Sequence, residues 1–199
     1  MARDFIGLQE AKELVARHTP LLPARSFPLA HLAGLVAGTR IEARVSSPSV
    51  TASTKDGFAV MGSELSRATA EKPVRLKLAG SVAAGEKAGM ALNPGQAVRI
   101  TTGAPLPAGA DAVIAVEFTS EEDGHVFCKA SAEPGRNVMQ EGSDVAAGQV
   151  VCEAGLRLDP GLVGLLAAAG LSEAPAHPLP KAGLLATGRE VIAPGRPLP

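Results

Sequence analysis

Hydroxyls at Ser49, Thr51, Ser53 and Thr54 precede Lys55, Asp56 and Gly57 in the stretch PSVTASTKDGFAV, residues 48–60. A carboxylate that only accepts, set beside several donors and one ammonium, can orient a polar ligand or a hydrated metal ion. The same residues also make an ordinary turn, because Asp accepts from nearby backbone donors and Gly tolerates positive φ. A second stretch, PGQAVRITTGAPLPAGADAVIAVE at 94–117, ends a strand in Thr101, Thr102 and Gly103. Hydroxyls and open amides at a glycine turn form a nest for an oxyanion or phosphate, or simply a hairpin with Thr at β-favouring positions. In a third, GRNVMQEGSDVAAGQVV at 135–151, Glu141 and Asp144 lie three apart in a glycine-bounded loop. Such a pair can share a divalent cation, since magnesium asks for one or two carboxylates and keeps its waters, although acids in turns are commonly just solvated. The fourth candidate is Thr187-Gly188-Arg189-Glu190, at the end of an apolar run, where ligands of open α/β sheets gather. His18, His31, His125 and His177 are scattered and suggest neither a triad nor a metal site.

Positioning these residues falls to short elements. Phe5, Leu8, Ala11, Leu14 and Val15 recur at helical spacing and predict an amphipathic helix over 5–17, ended by Thr19-Pro20. Pro28 at a first turn and Leu29, Leu32, Leu35 and Val36 predict a second helix up to Gly38, followed by a strand through 41–45. From 56 to 130 the pattern changes to short Val-, Leu- and Ile-rich runs separated by Gly, Pro and acids, a strand pattern. The expected strands are 73–79, 96–102, 111–118 and 125–130, with Glu121-Glu122-Asp123-Gly124 turning between the last two. Asp159-Pro160 is an N-cap followed by proline, so a helix starts there and stops near Gly170; being apolar nearly all round, it is expected to be buried. Residues 175–180 read as a linker, and KAGLLATG at 181–188 as a strand of the kind found in parallel sheets.

Composition narrows the function classes. With 199 residues, 46% of them hydrophobic, five Phe, no Tyr and no Trp, the core is aliphatic and there is room for one large or two small domains. Nineteen basic against twenty acidic residues leave a net charge of -1, and stacking platforms are scarce, which argues against nucleic acid as a partner. The longest apolar run, Leu162 to Leu171, contains two glycines and is too short to cross a bilayer, and the charged N-terminus argues against a signal peptide. Cys128 and Cys152 form no CxxC or Cys/His spacing and are expected as free, buried thiols of a cytoplasmic chain.

Taken together and in order, the stretches resemble one family, the MoeA-type molybdopterin molybdenumtransferases, to which the E-domain of gephyrin is also related. The resemblance starts at LQEAKELV, runs through FPLAHLAGLVAGTRIEARVSSPS, and is sharpest at STKDGFAV, VRITTGAPLPAGADAVIAVE, EGSDVAAGQVV and AGLLATGREVIAPG. It implies an α+β fold: a helical linker domain, discontinuous over 1–47 and 135–178, and an inserted, mostly antiparallel β-rich domain over 48–134. Residues 179–199 would be the first strand of a pterin-binding α/β domain that the chain does not go on to complete. It further implies an elongated homodimer that works with other molybdopterin-pathway proteins and inserts molybdenum from molybdate into adenylylated molybdopterin with Mg2+. By position, Asp56 matches the aspartate of the family's DGYA loop, Thr102 the threonine of its TGA turn, Asp144 the aspartate of its GED motif and Glu190 the glutamate of its TGDE motif. These four are the expected catalytic residues, Asp144 and Glu190 the expected magnesium contacts, and Ser53, Gly57, Thr101, Gly103, Thr187 and Gly188 the expected cofactor-binding positions.

The chain departs from that pattern. Lys55 stands where the family usually has Met, Phe58 where it has Tyr, Met139 where it has Arg, Ser143 where it has Glu and Arg189 where it has an acid. Two carboxylates are lost and one is replaced by a cation, which weakens the field at any magnesium site. The first reading is therefore a member of molybdenum cofactor biosynthesis that cannot catalyse metal insertion alone, for want of the pterin-binding domain. Two alternatives stand beside it: a scaffold for dimerisation or protein binding, and an unrelated β-rich hydrolase using Asp56 and Asp144 as acid and base.

Overall fold

The computed structural model describes residues 5–87, 89–183, 185, 192 and 194–196. Half of the strand expected at 181–188, residues 184 and 186–188, and with it Thr187, Gly188, Arg189 and Glu190, fall outside the described residues.

The chain is mostly sheet with few helices. It opens with α1 (Leu8–His18), and then β1 (Arg25–Pro28), β2 (Val36–Ala37) and β3 (Ile41–Glu42) follow as short strands. Next come β4 (Ala52–Ser53), β5 (Gly57–Val60), β6 (Val74–Val82), β7 (Gln96–Ile100), β8 (Ala112–Ala115), β9 (Thr119–Glu122) and β10 (His125–Cys128). The chain continues through β11 (Val138–Met139), β12 (Val150–Cys152), α2 (Pro160–Ala168) and β13 (Glu173–His177). Six strands form one sheet in the order β8-β5-β7-β6-β10-β9, antiparallel except for the parallel pair β6 and β7. Because side chains alternate across a strand, this sheet buries both faces. Phe58, Val60, Leu76, Ile114 and Val126 pack on one side, and Ala59, Val82, Val98, Ile100 and Val113 on the other.

A second core joins the two ends of the chain. The strands β1, β13 and β2 make a three-stranded sheet, β12 pairs with β3, and Leu32, Leu35, Ile41, Cys152, Leu158, Leu166 and Ala176 pack between them. The helix expected over 28–38 is not formed. Leu29–His31 make a single 3-10 turn, Gly34 takes φ 90°, and Val36–Ala37 are extended. The cause is tertiary: Gly34 donates to the Leu158 carbonyl and Leu158 to that of Leu35, so the backbone pairs across the fold instead of coiling. Residues 175–180 are likewise no linker at their start. Ala174 and Ala176 are buried in β13, the central strand of its sheet, and Pro175 takes part as an acceptor from Gly38, for which its missing N–H is no handicap.

Other expectations shift in detail. The strand expected over 41–45 shrinks to Ile41–Glu42, and the one over 111–118 stops at Ala115, where a 3-10 turn leads into β9. The hairpin therefore joins β9 to β10, its turn formed by Asp123 and Gly124 with φ of 47° and 73°, a type I′ arrangement. The Asp159 carboxylate caps α2 by accepting from the Leu162 amide at 2.7 Å, and Gly170, φ 83°, ends it. This helix is half-buried rather than enclosed: Leu166 faces the core while Gly161, Gly164, Ala167 and Ala168 are exposed, so its all-round apolarity reflects small residues on the outside. By contrast α1 buries nothing, and among the described residues no helix is long and apolar enough to cross a membrane.

Candidate functional site

Two residues of strand, β4, hold three of the four sequence-predicted stretches together. On one side the turn after β7 runs along it: Ser53 donates its amide to the Ala104 carbonyl at 3.0 Å, Gly103 donates to the Ser53 carbonyl at 2.8 Å, and Leu106 to the Thr51 carbonyl at 2.9 Å. On its other side lies β11, with Ser53 opposite Val138 and Ala52 opposite Met139. The ladder continues beyond the strand in both directions. Thr54 donates to Asn137, Gly142 to the Pro48 carbonyl, and Asp144 to that of Ser47.

Asp56 sits at one end of this ladder. Its Oδ1 accepts from the Thr102 amide at 2.7 Å and from the Thr102 hydroxyl at 2.9 Å. Those donors, the amide before the hydroxyl, hold the Asp56 carboxyl below the usual aspartate value. Gly57 is required for the approach: a Cβ there would stand 2.0 Å from the Ile114 carbonyl oxygen. Ser53 is buried and serves the same turn, its hydroxyl donating to the Lys55 carbonyl at 2.6 Å and accepting from the Lys55 amide. Thr101 also has a structural bond, accepting through Oγ1 from the Ala84 amide at 3.0 Å. The antiparallel pairing of β5 with β7, Gly57 opposite Ile100, carries Thr102 to Asp56, and Gly103, φ 80°, turns the chain directly after it.

Asp144 occupies the opposite end. It is exposed, and among the described residues its carboxylate makes no hydrogen bond to Asp56, Thr102 or anything else. A cleft of about 550 Å3 opens along this ladder, within the ~300–1,000 Å3 usual for small-molecule sites; Gly103 and Glu141 line it, whereas Asp56, Thr102 and Asp144 do not. Its walls are Ser49 to Thr51, Gly85 to Lys87 from the β6–β7 connection, the turn at Gly103, Pro105 and Leu106, and Glu141. Sequence inspection missed Glu86 and Lys87, which lie in a Gly/Ala-rich connection with no motif of its own. Thr51 stands among the predicted hydroxyls, but not its tie to a distant loop: that hydroxyl accepts from the Glu141 amide at 3.2 Å and donates to Gln140 Oε1 at 3.3 Å. A free hydroxyl in a Ser/Thr run gives no sign of which distant loop it will tie down. Among the described residues no three His, Cys, Asp or Glu side chains converge as a ready-made metal cage.

Residues 6–170 match the family model described as the MoeA N-terminal region, domains I and II. The chain belongs to the MoeA N-terminal family. Across 192 residues it is 38% identical to molybdopterin molybdenumtransferase 2 of Mycobacterium tuberculosis, covering 96% of this chain and 47% of that protein. The Bacillus subtilis molybdopterin molybdenumtransferase is 39% identical over 155 residues, 76% of this chain and 36% of its own length. The chain thus spans about half or less of the length of the curated relatives it matches. The crystal structure of a molybdopterin biosynthesis MoeA protein from Pyrococcus horikoshii superposes with a TM-score of 0.78 at 33% identity, covering 98% of this chain and 50% of the other. The fold is therefore MoeA-like, and the ladder through β4 lies within the residues that match the family model.

Proposed function

We propose that this MoeA-type region takes part in molybdenum cofactor biosynthesis, furnishing one wall of the site where molybdenum from molybdate enters adenylylated molybdopterin. What carries the proposal is the Asp56–Thr102 pair, a carboxylate fixed by two donors of the residue that precedes Gly103 in the wall of a cleft of small-molecule size. With one oxygen committed to Thr102, the other oxygen of Asp56 is left as an oriented acceptor for a substrate N–H or O–H. Lys87 offers charge to a phosphate, and Thr51 fixes the Glu141 side of the cleft. Magnesium enters the reading as a hydrated ion: Asp144, exposed and uncommitted among the described residues, and Glu190 would hold it through water, where it would neutralise phosphate charge.

The domain arrangement belongs to the same reading. Residues 1–47 and 135–178 form a discontinuous linker domain, 48–134 an inserted β-rich domain, and 179–199 the start of a pterin-binding α/β domain, in an elongated cytoplasmic homodimer that meets other pathway proteins. Catalysis then depends on donors from that α/β domain as well. The test is to supply the chain with adenylylated molybdopterin, magnesium and molybdate. Binding of the nucleotide that weakens in Asp56→Ala and Glu141→Ala, with turnover far below that of a longer relative, supports the reading; turnover equal to the relative's, or binding indifferent to both changes, overturns it.

A scaffold role is favoured by one observation, the loss of two family acids at Ser143 and Arg189. Restoring both by Ser143→Glu and Arg189→Asp, in the chain joined to a relative's pterin-binding half, discriminates. Activity present before restoration argues against a scaffold, and none afterwards argues for one.

A further inference from the structure

A second cleft, of about 380 Å3, is lined by Lys55, Ala115, Glu117, Phe118, Arg136 and Asn137 and shares no residue with the first. Its two cations come from loops that are pinned by backbone bonds. Ser53 Oγ brackets Lys55 on both its N–H and its carbonyl. The Arg136 carbonyl accepts from Val113 at 2.9 Å, Asn137 sits at φ 55° with its amide donating to the Val113 carbonyl at 2.9 Å, and Thr54 donates to Asn137. The third wall is held from the same side, since Val116 donates to the Asp56 carbonyl at 3.1 Å.

Within this rigid frame the charged heads are left over. Among the described residues neither Lys55 nor Arg136 forms an ion pair or a side-chain hydrogen bond, and Glu117 lines the same cleft without pairing with either. The neighbouring carboxylate that would otherwise answer Lys55, that of Asp56, is turned to Thr102. Two cations against one carboxylate leave the lining with a surplus positive charge.

We propose that this second cleft binds a phosphate monoester of a small hydroxylated molecule. The Arg136 guanidinium takes two phosphoryl oxygens through its planar fork and Lys55 meets the third as a point charge. The organic body rests on the half-exposed Phe118 ring and Ala115, and Glu117 accepts from one of its hydroxyls.

The site is tested by titrating the chain with inorganic phosphate and with phenyl phosphate while following backbone amide resonances. Saturable shifts are expected at Lys55, Glu117, Arg136 and Asn137, with phenyl phosphate bound at least about 3-fold more tightly because it reaches Phe118. Lys55→Met and Arg136→Met should each weaken binding about 10-fold, Lys55→Arg should retain it, and Thr51→Ala, which loosens only the first cleft, should leave it unchanged. Both substituted heads are exposed and unpaired, so the variants stay folded, which unchanged resonances elsewhere would verify. Linear, unsaturated shifts, or equal binding by the Met variants, would overturn the proposal without touching the molybdenum-insertion reading, which rests on the other cleft.

Discussion

The two ends of the ladder through β4 carry an aspartate each, and the two are treated differently by the fold. At one end Asp56 is gripped by the amide and hydroxyl of Thr102, above a glycine that nothing larger can replace. At the other end the Asp144 backbone is anchored to Ser47 while its carboxylate stands in solvent, in a loop where Gly148 has open space around it and Gly142 only ordinary contacts. One acid is preorganised and the other is available. A site that needs an oriented acceptor and a contact for a hydrated ion gains from having both, because the first must not move and the second must be able to adapt.

The sharpest way to break this contrast is Gly57→Ala. The added methyl meets the Ile114 carbonyl at 2.0 Å and the Ala115 Cα at 3.0 Å, both backbone, so relief requires parting β5 from β8. A loss of about 3 kcal/mol or more is expected, seen as a melting point lower by on the order of 10 °C. Thr51→Ala comes next. It removes the bonds to Gln140 and the Glu141 amide, and should cost about 1 kcal/mol and speed amide exchange at Glu141 while exchange in β5 is unchanged.

Asp56→Asn probes charge alone. The folded carboxyl titrates below its unfolded value, so its contribution to stability is present above the unfolded aspartate pKa of about 3.9 and disappears as pH falls through the lower, folded one. The gap in stability between the parent and Asp56→Asn should therefore be constant at neutral pH and close below about pH 4 in acid unfolding curves. Asp144→Asn should do least: stability at neutral pH within about 0.5 kcal/mol of the parent, since among the described residues its carboxylate has no hydrogen-bond partner to lose. A loss as large as that of Asp56→Asn would erase the distinction between the two ends.

How far these features could be read in advance depended on whether neighbours in sequence decided them. Asp159-Pro160, the Asp123-Gly124 turn and the alternating runs of β6 and β7 are local signals, and they appear as elements where expected. Leu29, Leu32 and Leu35 misled because spacing of three serves a 3-10 turn and a tertiary contact as well as a helix, and Leu158 pairing decided between them. Pro175 misled because a proline without its N–H can still accept within a strand. Within the site, Asp56 and Thr102 were found as motif residues 46 apart, but their bond depends on the antiparallel pairing of β5 with β7, which sets Gly57 opposite Ile100. The charged lining of the second cleft was legible only in part: Lys55 stands beside Asp56 in its motif, but nothing in the sequence joins it to Arg136, which strand pairing brings near.

Each of the two cores contains one sulfhydryl. Cys128 lies among the side chains on one face of the six-stranded sheet, and Cys152 between the segments from the two ends of the chain. Burial pushes the Cys128 thiol up to about 11, and burial followed by Glu153 raises that of Cys152, so at neutral pH both are protonated and poor nucleophiles. An alkylating reagent can reach either only when its own core breathes. The protein therefore carries two native clocks, and the ratio of their labelling rates measures whether its halves open as one unit or separately.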